Sequence, residues 1–465
     1  MSAPFLWILL PLLLAAALWF VKNQRIAAWI AIAVLILLTL TAWLLPVDTV
    51  MSVGGFSVKI TPAWEILGRR LVIDNTVTPL LALIFGTAIL WFASTLVLTP
   101  PRRVIPFGLV LTALLVASLT VQPFLYAALF IEIGVLLAIP LLTQPGKQPG
   151  RGVIRFLIFQ TLAMPFILFS GWLLTGIDAN PGNLGTVAQA ATLLALGFAF
   201  LLAVFPFYTW IPLLAEETHP FTAGLLFWLF PTATLFFGLG FLDHYAWLRE
   251  SPLLGTALTA AGALMIVSGG LLAGFQRHLG KVMGYAVIVE IGFSLLAVGL
   301  RSRSGIELFL MLLVPRALGL LLWTFSLSIL QAQAGELSLD NLKAAGRQWP
   351  YAAAGVLLGS FGIAGLPLLA GFPSHLAVWE TLAAASPTAF PWVFTGSAGL
   401  ILANIRLLST LFVPDGPIVW MARETKAQRV LSVLGWALLV LLGILPAWMT
   451  PFWSRLPALF EHLGQ

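Results

Sequence analysis

Apolar runs long enough to cross about 30 Å of hydrocarbon recur from one end of this 465-residue chain to the other, and no other feature narrows its possible folds so far. They lie near 4–20, 26–45, 77–98, 104–121, 123–143, 153–176 and 186–205. The second half supplies as many, near 220–241, 253–275, 281–300, 306–330, 349–370 (continuing after a break to about 386), 389–413 and 430–452. Inside a bilayer every peptide N–H and C=O must be satisfied within the protein, which leaves helices or closed barrels. Barrel strands alternate polar and apolar residues at every second position, and these runs do not. The expectation is an all-α polytopic membrane protein of about fourteen transmembrane helices. With 60% hydrophobic and only 9% charged residues, against about 25% charged in a soluble domain, a soluble fold is excluded.

An even number of spans puts both termini on one side, so the loops can be sorted into two sets. One set carries fifteen Lys and Arg residues and the other seven, with Arg316, inside a span, as the twenty-third. Excess cations mark the cytoplasmic face, which predicts periplasmic termini in an energy-transducing membrane such as the bacterial inner membrane. The net charge of +6 therefore reflects loop placement, and nucleic-acid binding is not implied. Met1-Ser2-Ala3-Pro4 has no basic residue ahead of the first apolar run, so that run reads as a span rather than a cleaved leader. The absence of cysteine excludes thiolate metal sites, iron–sulfur clusters and a catalytic thiol in this chain. No metal-binding or nucleophilic motif stands out, so no catalytic and no metal-ligating residue is expected, and any redox centre must belong to a partner.

Two spans are interrupted by proline in comparable ways, through Pro206 and Pro212 in one half and Pro367 and Pro373 in the other. Proline frees helix carbonyls, and paired broken helices in two halves are the sequence pointer to an ion path. Pro206 and Pro367 are 161 residues apart and Glu132 and Glu290 are 158 apart, offsets close enough to suggest a duplicated unit. A charge at the bilayer centre costs roughly 2.5–3.5 kcal/mol on insertion scales, so each intramembrane ionisable group needs a partner, a water path or neutralisation. Four such groups stand out: Glu132, Glu290, Arg316 and His375. Glu290 and Arg316 either neutralise each other between helices or belong to a proton path. Glu132, with no basic residue nearby in sequence, reads as a proton-handling group. His375 either satisfies backbone freed at the Pro373 break or exchanges protons. Asp243, His244, Arg249 and Glu250 read as a solvated loop, and Glu216, Glu217 and His219 as a short connection.

Four motifs then resemble one family, the antiporter-like proton-channel subunits of respiratory complex I (M/N type), which are similar to Mrp cation/proton antiporter and membrane-hydrogenase subunits. Val72-Ile73-Asp74-Asn75 resembles the family's Asp-Gly-Leu-Ser entry to the third span. Pro206-Phe207-Tyr208-Thr209-Trp210-Ile211-Pro212, followed by His219-Pro220-Phe221-Thr222-Ala223-Gly224, resembles Pro-Phe-His-x-Trp-Leu-Pro and Ala-Pro-Thr-Ala-Gly. Gln276-Arg277-His278-Leu279-Gly280-Lys281 with Gly284-Tyr285 and Glu290-Ile291-Gly292-Phe293 resembles the tenth-helix pattern, and Gly365-Leu366-Pro367 with Gly371-Phe372-Pro373-Ser374-His375 the twelfth. The motifs occur in the family's order over about 70–452.

The resemblance implies two inverted five-helix repeats with broken seventh and twelfth helices. Residues 1–103 would hold helices 1–3, 104–245 the first repeat, 246–415 the second, and 416–465 helix 14 and its tail. It places Glu132 near the fifth-helix glutamate, although Pro140 follows three positions later than usual. Glu290 takes the place of the tenth-helix histidine, Arg316 lies where an eleventh-helix histidine is often found, and His375 occupies the twelfth-helix Lys or Glu position. The family's seventh-helix lysine is absent, its position being Leu201, and Leu225–Leu242 contains no basic residue where the eighth-helix lysine belongs. Ending thirteen residues after its last span, the chain resembles the shorter family members.

The function implied is that of a membrane-arm subunit of a complex-I-like NADH–quinone oxidoreductase, coupling redox chemistry in partners to proton translocation by an altered or partial path. Alternatives are an Mrp-type antiporter or hydrogenase subunit, or a non-conducting structural subunit. FMN, iron–sulfur clusters and quinone are expected in partner subunits and no cofactor on this chain. The expected partners are other membrane-arm subunits, further antiporter-like subunits among them, and the lipid bilayer.

Overall fold

Backbone hydrogen bonding that cannot be exported to lipid is satisfied here almost wholly within helices. The computed structural model describes residues 2–463 apart from 54–55, 67, 99, 144–145, 147, 180–183 and 414–419. Lys147, one of the cations on the more basic side, lies outside the described residues. After a π-helical turn at Phe5–Leu9 come α1 (Leu10–Trp19), α2 (Gln24–Leu44), α3 (Thr78–Ser94), α4 (Val104–Thr120), α5 (Ala127–Leu142), α6 (Arg151–Ala179) and α7 (Leu184–Leu201). Then follow α8 (Trp210–Glu217), α9 (Pro220–His244), the single turn α10 (Ala246–Arg249), α11 (Pro252–Gly274), α12 (Leu279–Gly299) and α13 (Arg303–Ala334). The chain continues through α14 (Ala345–Gln348), α15 (Pro350–Ile363), α16 (Gly371–Ala385), α17 (Phe390–Phe412), α18 (Lys426–Ile444) and α19 (Thr450–Trp453). Among the described residues nine helices are long and apolar enough to cross a membrane, and five more apolar helices have 10–17 residues.

The connection before α3 is not simple loop. It forms an antiparallel hairpin, β1 (Val50–Val53) and β2 (Phe56–Lys59), and a second, β3 (Ala63–Ile66) and β4 (Arg69–Val72), which pairs with β5 (Val121–Gln122). The Asp74-Asn75 motif ends this segment structurally. Asp74 Oδ1 accepts the N–H of Thr76 at 2.9 Å, and the Asn75 amide is bonded in both directions to the backbone of Val47.

Burial grades the helices. α12 and α13 are enclosed over nearly their whole length and α9 over most of it, whereas α18 and α2 turn wide apolar faces outward. Glycine sets the close approaches, as is common where helices pack without a hydrophobic drive between them. On α12, a Cβ at Gly280 would collide with the Ala215 carbonyl, and one at Gly284 would lie 2.8 Å from Pro212 Cα, so the short α8 lies directly on α12. On α11, Gly262 meets Gly292 of α12 while Gly270 meets the Gly396 carbonyl of α17.

Both anticipated interruptions are present. Between α7 and α8 the chain unwinds around Pro206, with Ala203 at φ 54, and between α15 and α16 it unwinds around Pro367, with Gly365 and Leu368 both at φ 72. Pro212 and Pro373 lie in the first turns of α8 and α16, where their missing N–H costs no helical bond. The carbonyl of Leu201 at the first break accepts a 3.1 Å bond from Gln160 Nε2, a fully buried residue of α6.

Because Gly270 faces backbone rather than a side chain that could swing away, Gly270→Val is expected to destabilise the protein by about 3 kcal/mol. Thermal unfolding in detergent checks this, with Gly274→Ala, whose Cβ would meet only the Gly399 carbonyl oxygen at 4.0 Å, as the tolerant control.

Candidate functional site

Three of the four intramembrane ionisable residues converge. Glu290 sits midway along α12, Arg316 follows Pro315 inside α13, and His375 lies one turn into α16 just beyond the second break. All three are 1–2% exposed. Arg316 Nε donates to Glu290 Oε2 at 3.3 Å, and its Nη2 donates to the Glu290 backbone carbonyl at 2.9 Å and to Ser294 Oγ. Ser294 stands one turn after Glu290 on the same helix face, so the guanidinium grips both the carboxylate and the next turn of α12. Arg316 Nη1 makes no hydrogen bond to the protein.

On the other carboxylate oxygen, His375 Nε2 lies 3.1 Å from Glu290 Oε1. Its second ring nitrogen, Nδ1, is 2.7 Å from the carbonyl oxygen of Gly371, one turn earlier in α16. A carbonyl can only accept, so Nδ1 carries a proton. A neutral ring would turn its Nε2 lone pair toward the carboxylate, so the 3.1 Å approach is favourable when the pair holds one more proton. That proton sits either on His375, as imidazolium against carboxylate, or on Glu290, as carboxylic acid against neutral imidazole. Both states carry the same total charge.

The break creates the room for this ring. At Gly365 a Cβ would lie 2.9 Å from His375 Cγ, and at Gly371 it would collide with the Gly362 carbonyl. Phe293, from α12, meets the imidazole edge-on at 4.2 Å between centroids. The glycines of the Gly365-Leu366-Pro367 and Gly371 motif thus admit a histidine that any larger residue would displace.

Glu132 is not part of the cluster. It is half-buried on α5, where Thr161 of α6 donates to its Oε1 at 2.8 Å and Oε2 has no partner. The nearby cavity of about 20 Å³ between α4, α5 and α9 is lined by Leu111, Ile131, Phe230 and similar residues with Ser118 as its polar member, so no cation faces it. Leu201 is buried in apolar surroundings.

The residues first read as a short connection and a solvated loop are in fact engaged. Glu216 pairs with Lys281 at 2.8 Å, and Glu217 Oε2 accepts the Gly152 N–H at 2.6 Å at the start of α6. Asp243 and His244 belong to the last turn of α9, and the Asp243 carboxylate accepts backbone N–H groups of Glu461, His462 and Leu463. The apolar run that carries α9 simply extends one turn further than the charges suggested. Of the residues missed, Ser294 had one available signal, its spacing of four from Glu290. Gln160 had another, a lone amide in an apolar run. Among the described residues no three His, Asp or Glu side chains gather closely enough to hold a metal ion.

The family model described as NADH:quinone oxidoreductase/Mrp antiporter, TM matches residues 157–401, more than half of the chain, and the chain belongs to this family. It is 28% identical over 287 residues to "NAD(P)H-quinone oxidoreductase chain 4 1" of Synechococcus sp. (strain JA-3-3Ab), covering 57% of this chain and 53% of that protein. It thus spans about half the length of the first such relatives. With "NADH-quinone oxidoreductase subunit N 2" of Acidobacterium capsulatum it shares 25% identity over 85% of this chain and 89% of the relative. A chain of the Mrp complex from Dietzia sp. DQ12-45-1b has the same fold with a TM-score of 0.83 at 15% identity, covering 99% of this chain and 97% of that one. A chain of respiratory complex I from Thermus thermophilus superposes with a TM-score of 0.78 at 19% identity, covering 99% and 100%.

Two predictions follow from the geometry. Glu290→Gln leaves Arg316 buried beside a neutral amide and should cost about 3–5 kcal/mol of stability in thermal unfolding, with Glu290→Gln combined with Arg316→Met recovering more than half. Separately, burial pushes His219, at the start of α9, down to about 4. The unfolded chain binds that proton near 6.5 and the folded one only near 4, so stability should fall as pH drops through this window, by up to about 3 kcal/mol. His219→Gln should flatten the Tm-against-pH curve there.

Proposed function

We propose that this chain is a membrane-arm subunit of a complex-I-like NAD(P)H–quinone oxidoreductase, and that it carries a proton through its second half at the Glu290–Arg316–His375 cluster. The observation that supports this most directly is the carboxylate–imidazole contact at a helix break, which holds one transferable proton beside a fixed guanidinium. Arg316 keeps the positive charge constant while the proton moves between Glu290 Oε1 and His375 Nε2, and unwinding at Gly365 gives the histidine a route toward the outer side. The repeats are taken as residues 104–245 and 246–415, with about fourteen spans and periplasmic termini. In this reading the flavin, iron–sulfur clusters and quinone belong to partner subunits, which drive the proton step through conformational and electrostatic coupling.

The first half works differently. Without lysines at Leu201 and along α9, the Coulomb push of a few kcal/mol that a nearby cation would exert on Glu132 is absent. Glu132 is therefore assigned a secondary role, and the proton path centres on the second half.

The test is purification of the native assembly, reconstitution into liposomes, and measurement of NADH-dependent quinone reduction with proton translocation. His375→Gln should leave electron transfer intact when the gradient is collapsed, yet slow proton transfer by about a hundredfold or more. Unchanged proton-to-electron ratios in Glu290→Gln and His375→Gln would reassign the chain as a structural subunit. An assembly holding only antiporter-like subunits, with sodium-dependent transport, would reassign it to an Mrp-type machine.

A further inference from the structure

A second polar feature lies at the ends of the helices that carry Glu290 and Arg316 and shares none of the cluster's hydrogen bonds. Where α9 ends, α11 begins, α12 ends and α13 begins, a cavity of about 120 Å³ opens, several times what a single water needs. Arg249, Arg301 and Arg303 surround it. They are three of the seven Lys and Arg residues that the alternation of loops assigns to the less basic side.

These arginines are held in place by the backbone. Arg249 Nη1 donates to the carbonyls of Leu242 and Asp243 at 3.2 and 2.7 Å, and Arg301 Nε donates to the Arg249 carbonyl at 3.1 Å. The Arg301 stem lies flat across Gly255, where a Cβ would come 2.5 Å from its Cδ. Arg303 pairs with Glu307 at 3.1 Å, but among the described residues neither Arg249 nor Arg301 has a carboxylate within ion-pair distance. The nearest acid on α9, Asp243, is already taken by three tail N–H groups. The inner wall, by contrast, is apolar, with Leu254, Leu258 and Ile306. At the first turn of α11, Leu253, next to the lining residue Leu254, is 80% exposed.

We propose that this cavity binds the phosphate headgroup of an anionic phospholipid, with Arg301 and Arg249 on the phosphate and the acyl chains in the bilayer beside exposed Leu253. Fixed guanidinium groups suit a phosphate fork, and basic pockets between transmembrane helices hold anionic headgroups. A free phosphate would use the arginines alone; the cavity lies at the ends of four membrane helices, the level at which lipid phosphates sit, and its wall is partly apolar, so the lipid is preferred.

The probe is phosphatidylglycerol or phosphatidylcholine added in mixed micelles to the delipidated native assembly, with bound lipid counted by native mass spectrometry. Phosphatidylglycerol should be retained in preference to phosphatidylcholine. Arg301→Gln with Arg249→Gln should weaken that retention about thirtyfold, at the rate expected for two basic groups near a phosphate. Leu258→Trp, which fills the cavity and leaves every arginine in place, should abolish it without altering quinone reduction. Equal retention of both lipids, undiminished retention by either variant, or displacement of the lipid by inorganic phosphate at matching concentration would overturn the proposal.

Discussion

A guanidinium, a carboxylate and an imidazole buried together in a membrane helix bundle constrain everything around them. An isolated charge at that depth costs several kcal/mol, so Glu290 and Arg316 must lie within hydrogen-bond reach, which fixes the rotation of α12 against α13. His375 then closes the remaining carboxylate oxygen from a third helix, and it reaches there because α15 and α16 are separated by unwound backbone at Gly365 and Pro367. The break is thus the means by which a third helix brings a side chain into the otherwise closed interior.

The close approaches elsewhere serve the same geometry. α8, the second half of the other broken helix, lies against the Gly280 and Gly284 face of α12, so the helix that carries Glu290 is held on one side by the first half of the chain and on another by α11 at Gly262 and Gly292. A shift at the first break is therefore in direct contact with the helix bearing the central carboxylate. The first half builds this contact with apolar residues, Leu201 among them, and Glu132 keeps only its bond from Thr161.

Much of this was legible in the sequence because bilayers make charge conspicuous. Glu290, Arg316 and His375 stood out as polar residues in apolar runs, and Pro206 and Pro367 as interruptions, and all five lie in or beside the breaks and buried helices. Other features carried no such contrast. Two glutamates at matching offsets, Glu132 and Glu290, looked equivalent, yet one is half-exposed with a threonine partner and the other sits in an ionic cluster, since spacing says nothing about which face a residue presents. Strands in 50–72 were hidden because four-residue hairpins in a mixed polar segment lack a distinctive period. The Asp243–Arg249 segment looked solvated because its partners, the tail backbone and the α9 carbonyls, are ordinary peptide groups.

The central claim is that Glu290 Oε1 and His375 Nε2 share one exchangeable proton while Nδ1 stays bonded to Gly371. Nitrogen NMR of histidine-labelled protein, with the His375 signals among five histidines assigned by loss in His375→Gln, reads both ring nitrogens directly. The predicted result is a permanently protonated Nδ1 and a second proton at Nε2 that is lost when Glu290 is replaced by Gln. A neutral ring with a bare Nδ1 and a fixed Nε2–H across the whole pH range would contradict it.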